Sequence, residues 1–394
     1  MSRPRLSRSG FALVCGAYLA VTVGEATLTP VYPAAAADLG LDVDDAGTAF
    51  AVLAFSLGSA SLVGGVLLRW WTTTRVMTAA LLLTAAGGAV AAAATGTGTF
   101  LAGQVGLGAG AGMLYPPAVI SIAALAGERR RGLAMGAFGS FFSLGLVAAA
   151  GLSAAADATS WRMPFVVGAV LAVGAAAALR RVQGDRVAGE SSSLSAVRGV
   201  LGAASAVGAV GGVAQYAAVA YLPVFAVAEW GVSAADAALI LLVGRVLSFP
   251  AKLLAGATAD RFGAVAAARL VGVLLGCCGL VWSLAPSTQL GVVMAVVFTG
   301  TVSAVFPLAN LLAYESAGPD GVALGLFRAL QLAAGGLVAV GIAAAAQWAD
   351  LRPTIAVAAG LPVVLVAIRD RRSSVGSGLR ATGTDVSVAA PRAS

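Results

Sequence analysis

Long apolar runs alternate along this chain with short connectors that hold almost all of its charges. A helix needs about 20 predominantly apolar residues to cross the hydrocarbon core of a bilayer. Allowing a few residues of slack at each boundary, twelve stretches fit: 11–36, 47–68, 76–94, 99–125, 133–156, 163–179, 200–228, 234–257, 264–285, 289–313, 321–348 and 353–368. Inside lipid each backbone N–H and C=O must be satisfied within the protein, so these stretches are predicted to be helices rather than open strands. The pattern describes an all-α polytopic membrane protein.

Connector charge sets the topology. The N-terminal tail and alternate connectors carry Arg3, Arg5, Arg8, Arg69, Arg75, Arg129 to Arg131, Arg180, Arg181, Arg186, Arg198, Arg261 and Arg269. The remaining connectors carry only Arg162 and Arg352, and the first of them is crowded by Asp38, Asp42, Asp44 and Asp45. Basic loops stay on the cytoplasmic side, which predicts a multi-pass protein of the cytoplasmic (inner) membrane with both termini cytoplasmic. The expected division is a tail over 1–10, an N-terminal six-helix half over 11–179, a linker over 180–198, a C-terminal six-helix half over 199–370 and a disordered tail over 371–394.

The polar linker divides the spans six and six, and short matches recur across it. Gly132-Leu-Ala-Met-Gly136-Ala-Phe138 returns as Gly321-Val-Ala-Leu-Gly325-Leu-Phe327, displaced by 189 residues. Tyr115-Pro116 returns as Phe306-Pro307 and Pro30-Val31-Tyr32 as Pro223-Val224-Phe225, displaced by 191 and 193. Three matches in order at nearly one offset argue for duplication. Repeats of six spans each have the same orientation, so the halves are expected to be pseudo-symmetric bundles related by an axis along the membrane normal.

Composition narrows the function. With 59% hydrophobic residues, 10% charged and a mean hydropathy of +0.94, no soluble class fits. The net charge of +7 is scattered through short loops rather than gathered on one face, which argues against nucleic acid. The chain lacks His, and its three Cys lie in apolar runs, so neither a metal site nor a disulfide framework has its ligands; no cofactor is expected. The 51 glycines often follow small-x-x-x-small spacing and read as helix packing. Gly106-x-Gly108-x-Gly110 lies inside a span with no strand before it, and is not a dinucleotide loop. An embedded enzyme would need a cluster of nucleophile, base or metal ligands, and a membrane sensor would be expected to carry a soluble output domain; neither is found.

The six-plus-six layout resembles the major facilitator superfamily of secondary transporters. The motifs behind that resemblance are Gly256-Ala-Thr-Ala-Asp260-Arg261-Phe262-Gly263 after span eight, Trp161-Arg162-x-Pro164-Phe165 before span six, and Tyr221-Leu222-Pro223 in span seven. In that family the Gly-x-x-x-Asp-Arg-x-Gly turn is one of two copies that latch the halves at the cytoplasmic side. The first copy here, Gly65-Val-Leu-Leu-Arg69-Trp70-Trp71, puts Arg69 where the family has aspartate. The resemblance therefore implies a latch of reversed sign, with Arg69 facing Glu315 and Asp320, and Asp260 facing Arg129 to Arg131. Two drug-exporter features, Gly-Pro in span five and an arginine ahead of the glycine run in span four, are missing: span five reads Gly145 to Gly151 without proline, and Ala102 precedes Gly103-Gln104.

Charges inside the spans are costly, about 2.5–3.5 kcal/mol at the bilayer centre on insertion scales, and mark function by default. Glu25 shares one helical face with Tyr18, Thr22 and Thr29, a stripe expected to face the central cavity, where Glu25 would exchange a proton as exposure alternates. Arg245 and Lys252 lie seven residues apart on one face of span eight, with Lys252 near enough to the cytoplasmic end to snorkel. Arg245 offers a planar fork of donors suited to a carboxylate or phosphate, so two readings stay open: contact with an anionic substrate, or a pair with Glu25. Arg328 lies about two turns into span eleven, within reach of latch or cavity floor. Because the family lines its cavity with spans one, four, seven and ten, Gln104, Tyr115, Gln215, Tyr216, Asn310, Tyr314 and Gln331 are further candidates, any of which would otherwise bridge helices.

These observations imply alternating-access secondary transport of a small solute, proton-coupled, by a monomer in the lipid bilayer. A small organic anion is the first expectation for substrate, an exporter of drug-like or amphiphilic compounds the alternative, and a non-transporting sensor the alternative of another class.

Overall fold

The structure, a computed structural model, describes residues 8–41, 43–156, 161–181, 194–345 and 350–368, and among them it is helical with no strand. Among the described residues nine helical stretches are long and apolar enough to cross a membrane: Ser9–Leu39, Thr48–Leu67, Thr73–Ala92, Thr97–Ala126, Glu128–Ala155, Leu194–Val213, Asp236–Phe262, Ala264–Leu284 and Thr288–Ala317. Three shorter apolar helices, Met163–Leu179, Gly321–Leu337 and Arg352–Ala367, fill the sixth, eleventh and twelfth positions. In chain order these are spans one to twelve. Leu194–Val200 is already helical and takes up the far end of the expected linker, while the predicted C-terminal tail and linker residues 182–193 lie outside the described residues.

Proline bends the spans that the family resemblance assigns to the cavity. Pro30 has no N–H to offer Ala26, and span one breaks at Thr27, just past Glu25. Pro223 likewise leaves Val219 O free, and the turn before it, Ala214–Val219, is π-helical. Pro307 releases Ser303 O where span ten is interrupted between Val302 and Val305. Span four keeps its helix through Pro116 and Pro117. Such interruptions are tolerated at membrane depth where they are buried in protein or line a cavity.

Each half is strapped at one end by an ion pair. In the first half Arg162, before span six, reaches Asp38 at the end of span one at 2.6 Å, and donates to Ala94 O at 3.0 Å. In the second, Arg352 before span twelve reaches Glu229 at the end of span seven at 2.9 Å. The acids are displaced by 191 residues and the arginines by 190, so the duplication extends to an ion pair in each half. This end is called the acidic end below, and the end bearing Arg69, Arg129 to Arg131 and Arg261 the basic end.

The halves meet along spans two and eleven and along spans five and eight. Their closest approaches lie toward the basic end, where glycine is required: a Cβ on Gly132 or Gly256 would run into the other's backbone, and Gly65 and Gly321 stand in the same relation. Toward the acidic end the two long spans turn back to their own halves, Gly145 of span five against Thr22 of span one and Gly244 of span eight against Thr299 of span ten. The bundle is thus closed at the basic end and splayed toward the acidic end.

Candidate functional site

At the basic end the latch works through backbone amides. The α-helix of span five begins at Arg131, and its first N–H groups have no α-helical carbonyl a turn earlier to bond. Asp260 supplies both acceptors: Gly132 N donates to Oδ1 at 2.7 Å and Leu133 N to Oδ2 at 2.8 Å. A carboxylate there also meets the positive end of the helix dipole. The expected pairing of Asp260 with Arg129 to Arg131 is therefore corrected. Arg131 instead lies over the Tyr314 ring, 4.9 Å from its centroid, tying span five to span ten. Tyr314 belongs to this end and not to the cavity.

The second latch copy is not a mirror of the first. Asp320 accepts from Ala323 N at 3.0 Å and so caps its own span eleven, where the expected partner was Arg69. Arg69 and Arg261 are exposed, with Arg261 against Phe262, and Gly263 closes the turn at φ 89°.

One layer deeper, Lys252 is 2% exposed and does not snorkel. Its Nζ crosses from span eight to span five, donating to Gly139 O at 2.9 Å and to Ser143 Oγ at 2.5 Å, and sits 5.7 Å from the Phe142 ring centroid. Ser143 Oγ lies 3.0 Å from Ser248 Oγ, which donates to Arg245 O at 2.6 Å. With Ser143 accepting from the ammonium, its own hydrogen is free for Ser248, and the bonds run one way: Lys252, Ser143, Ser248, Arg245 carbonyl.

Beside this chain a polar cluster spans the halves. Tyr115 of span four donates to Asn310 Oδ1 of span ten at 2.6 Å, and Arg328 of span eleven stacks 4.9 Å from the Tyr115 ring centroid. Arg328 is held by Gln331 Oε1 at 2.6 Å, with Gln331 buried at 2% exposure against span seven near Gly208. No ion pair joins Glu25 to Arg245 among the described residues, so the second reading of Arg245 gives way. The stripe on span one is only partly a cavity face: Tyr18 stacks on Phe138 at 4.2 Å, and Thr22 is buried with its hydroxyl on Tyr18 O.

Arg245 itself is exposed within the splayed side, with no hydrogen bond or ion pair from its guanidinium among the described residues. It lines a small recess with Ser143, Gln215, Ser248, Thr299, Ser303 and the apolar Leu146 and Val219. Thr299 Oγ1 and Gln215 Oε1 are buried there without a hydrogen-bond partner.

Gln104 is corrected: it is fully buried in span four, with both its Oε1 and Nε2 unpartnered, and does not face the recess. The Tyr216 side chain lies outside the described residues. Ser143, Ser248 and Thr299 were not foreseen. For Ser248 a signal existed, since it lies three residues after Arg245 and four before Lys252 on the same helix face.

A search of curated proteins finds no match. Among solved structures the chain is similar to the transporter FucP in its outward conformation, at 19% identity and TM-score 0.78 over 91% of this chain and 98% of that one. It is similar also to the human organic anion transporter MFSD10, at 16% identity and TM-score 0.71 over 93% and 100%. A third is the proton:xylose symporter XylE, at 15% identity and TM-score 0.74 over 91% and 94%. The family model described as Major Facilitator Superfamily matches residues 14–340, across both halves and every element of the latch, and the chain belongs to that family.

Proposed function

We propose that this secondary transporter carries a small organic anion, with Arg245 as the group that reads its charge and Glu25 as the proton-coupling acid. The supporting observation is the recess itself: a guanidinium with no acid partner, beside the unpartnered hydroxyl of Thr299 and serine hydroxyls from both halves. The two donors of an arginine fork match a carboxylate or phosphate. Gln215 Oε1, an acceptor, favours an anion that also carries a hydroxyl or amine. The splayed acidic end gives solute access, and with the basic loops cytoplasmic that state faces outward. The protein then works as a monomer in the cytoplasmic membrane with both termini inside, rocking its halves to expose the recess to the other side.

The alternative is a drug-like amphiphilic substrate, for which Leu146 and Val219 of the same recess offer apolar contact. A thermal-shift screen of the purified protein against hydroxy acids, neutral sugars and cationic dyes tests this. Stabilisation by hydroxy acids that vanishes in Arg245→Gln is expected. Stabilisation by cationic dyes alone overturns it.

A further inference from the structure

We infer that Lys252 is a second, indirect cation of the anion site, and that the recess selects substrates bearing two negative charges over those bearing one. This rests on the reading of the recess as an anion site and names the substrate class more narrowly.

Lys252 and Arg245 project from one face of span eight, seven residues and so about 10 Å apart along the axis. Arg245 lies at the recess; Lys252 lies behind its wall, separated from it by the Ser143 hydroxyl alone. Ser143 both lines the recess and accepts from the ammonium, so an anion that reaches Ser143 is one hydroxyl away from the positive charge. Neither cation is paired with a carboxylate among the described residues. A buried ammonium held only by neutral oxygens and an aromatic face remains costly, and bringing in a negative charge offsets that cost. One negative charge neutralises Arg245 and leaves Lys252 uncompensated. Two charges answer both.

The hydroxyls can make the connection without moving the backbone. Ser248 now gives its hydrogen to Arg245 O within its own helix, a bond it can exchange for one to an anionic oxygen. Thr299 Oγ1 has no partner to give up. Lys252 touches no solute in this arrangement and acts through Ser143, so it is a positioning residue.

The test compares lactate with malate, which differ chiefly by one carboxylate, as ligands of the purified full-length protein, reading half-saturation of the thermal shift. Wild type is expected to half-saturate with malate at about tenfold lower concentration than with lactate, the effect of about 1.4 kcal/mol. Lys252→Met should bring that ratio near one while leaving lactate affinity within about twofold, a change of well under 1 kcal/mol. Ser143→Ala, which keeps the lysine and removes the relay, should lower the ratio in the same direction and covers the case in which Lys252→Met does not fold. Equal weakening of lactate and malate in these variants would make Lys252 a structural pin, and an unchanged ratio, or no malate preference in wild type, also overturns the inference while the anion site stands. If neither acid binds wild type, the proposed function falls with it.

Discussion

Tyr115 and Asn310 are hydrogen-bonded across the two halves of the protein, Oη to Oδ1 at 2.6 Å, with the Arg328 guanidinium over the same tyrosine ring. Both residues are largely buried, at 2% and 7% exposure, so neither has water to fall back on. Tyr115→Phe keeps the ring under Arg328 and strands the Asn310 oxygen. A net loss of about 1–3 kcal/mol is expected, read as a lowered unfolding midpoint of the purified protein. Because the bond crosses between halves that must separate during transport, the variant should also spend less time closed at the basic end. Reagent labelling of cysteines introduced at the cytoplasmic face should rise, and unchanged labelling would show that the bond does not bear on the closed state.

The latch predicts an unusual ranking of variants. Asp260 is held by the amides of Gly132 and Leu133, not by the arginines before them. Asp260→Ala leaves two helix N–H groups uncapped and should cost about 1 kcal/mol, with Asp260→Asn intermediate because its oxygen keeps one amide. Arg129→Ala and Arg130→Ala should be near neutral. Counterflow rates in proteoliposomes check the ranking, and a loss in the arginine variants equal to that of Asp260→Ala would restore the ion-pair latch.

How much was legible in the sequence follows from what each interaction depends on. Span length and loop charge are one-dimensional properties, and the all-helical membrane fold could be read directly. The turn around Asp260 was legible as a place where the halves meet, but its partner was not, because a backbone amide has no sequence signature. Lys252 was misplaced for a related reason: its distance from the membrane edge suggests snorkelling, whereas Gly136 lets span five approach the Lys252 backbone, Gly139 lies against its stem, and the ammonium turns inward.

Glu25 stands just before the break of span one at Thr27, at membrane depth. As the proposed proton-coupling acid, its carboxylate would exchange a proton as the halves move. Glu25→Gln should abolish accumulation driven by a pH gradient in proteoliposomes while sparing exchange down a substrate gradient. Normal uphill accumulation in that variant would assign the coupling elsewhere.

The duplicated straps at the acidic end differ in strength. Arg162 has three attachments: Asp38 at 2.6 Å, Ala94 O at 3.0 Å, and the Trp161 ring at 4.3 Å from its centroid. Arg352 donates twice to Glu229 Oε2, from Nη2 at 2.9 Å and Nε at 3.0 Å, but has no backbone carbonyl, and the Phe225 ring at 6.0 Å is a longer and weaker stack on a less electron-rich face. The ion pairs alone, being partly exposed, are worth about 0–1 kcal/mol. Arg162→Ala should therefore lower the unfolding midpoint more than Arg352→Ala, since it also frees the Ala94 carbonyl at the end of span three. Exchanging the first pair by Asp38→Arg with Arg162→Asp restores the charge match but not the carbonyl bond or the tryptophan stack, so only partial recovery is expected. Full recovery would mean that the charges alone hold the strap, and equal losses in the two arginine variants would remove the difference between the halves.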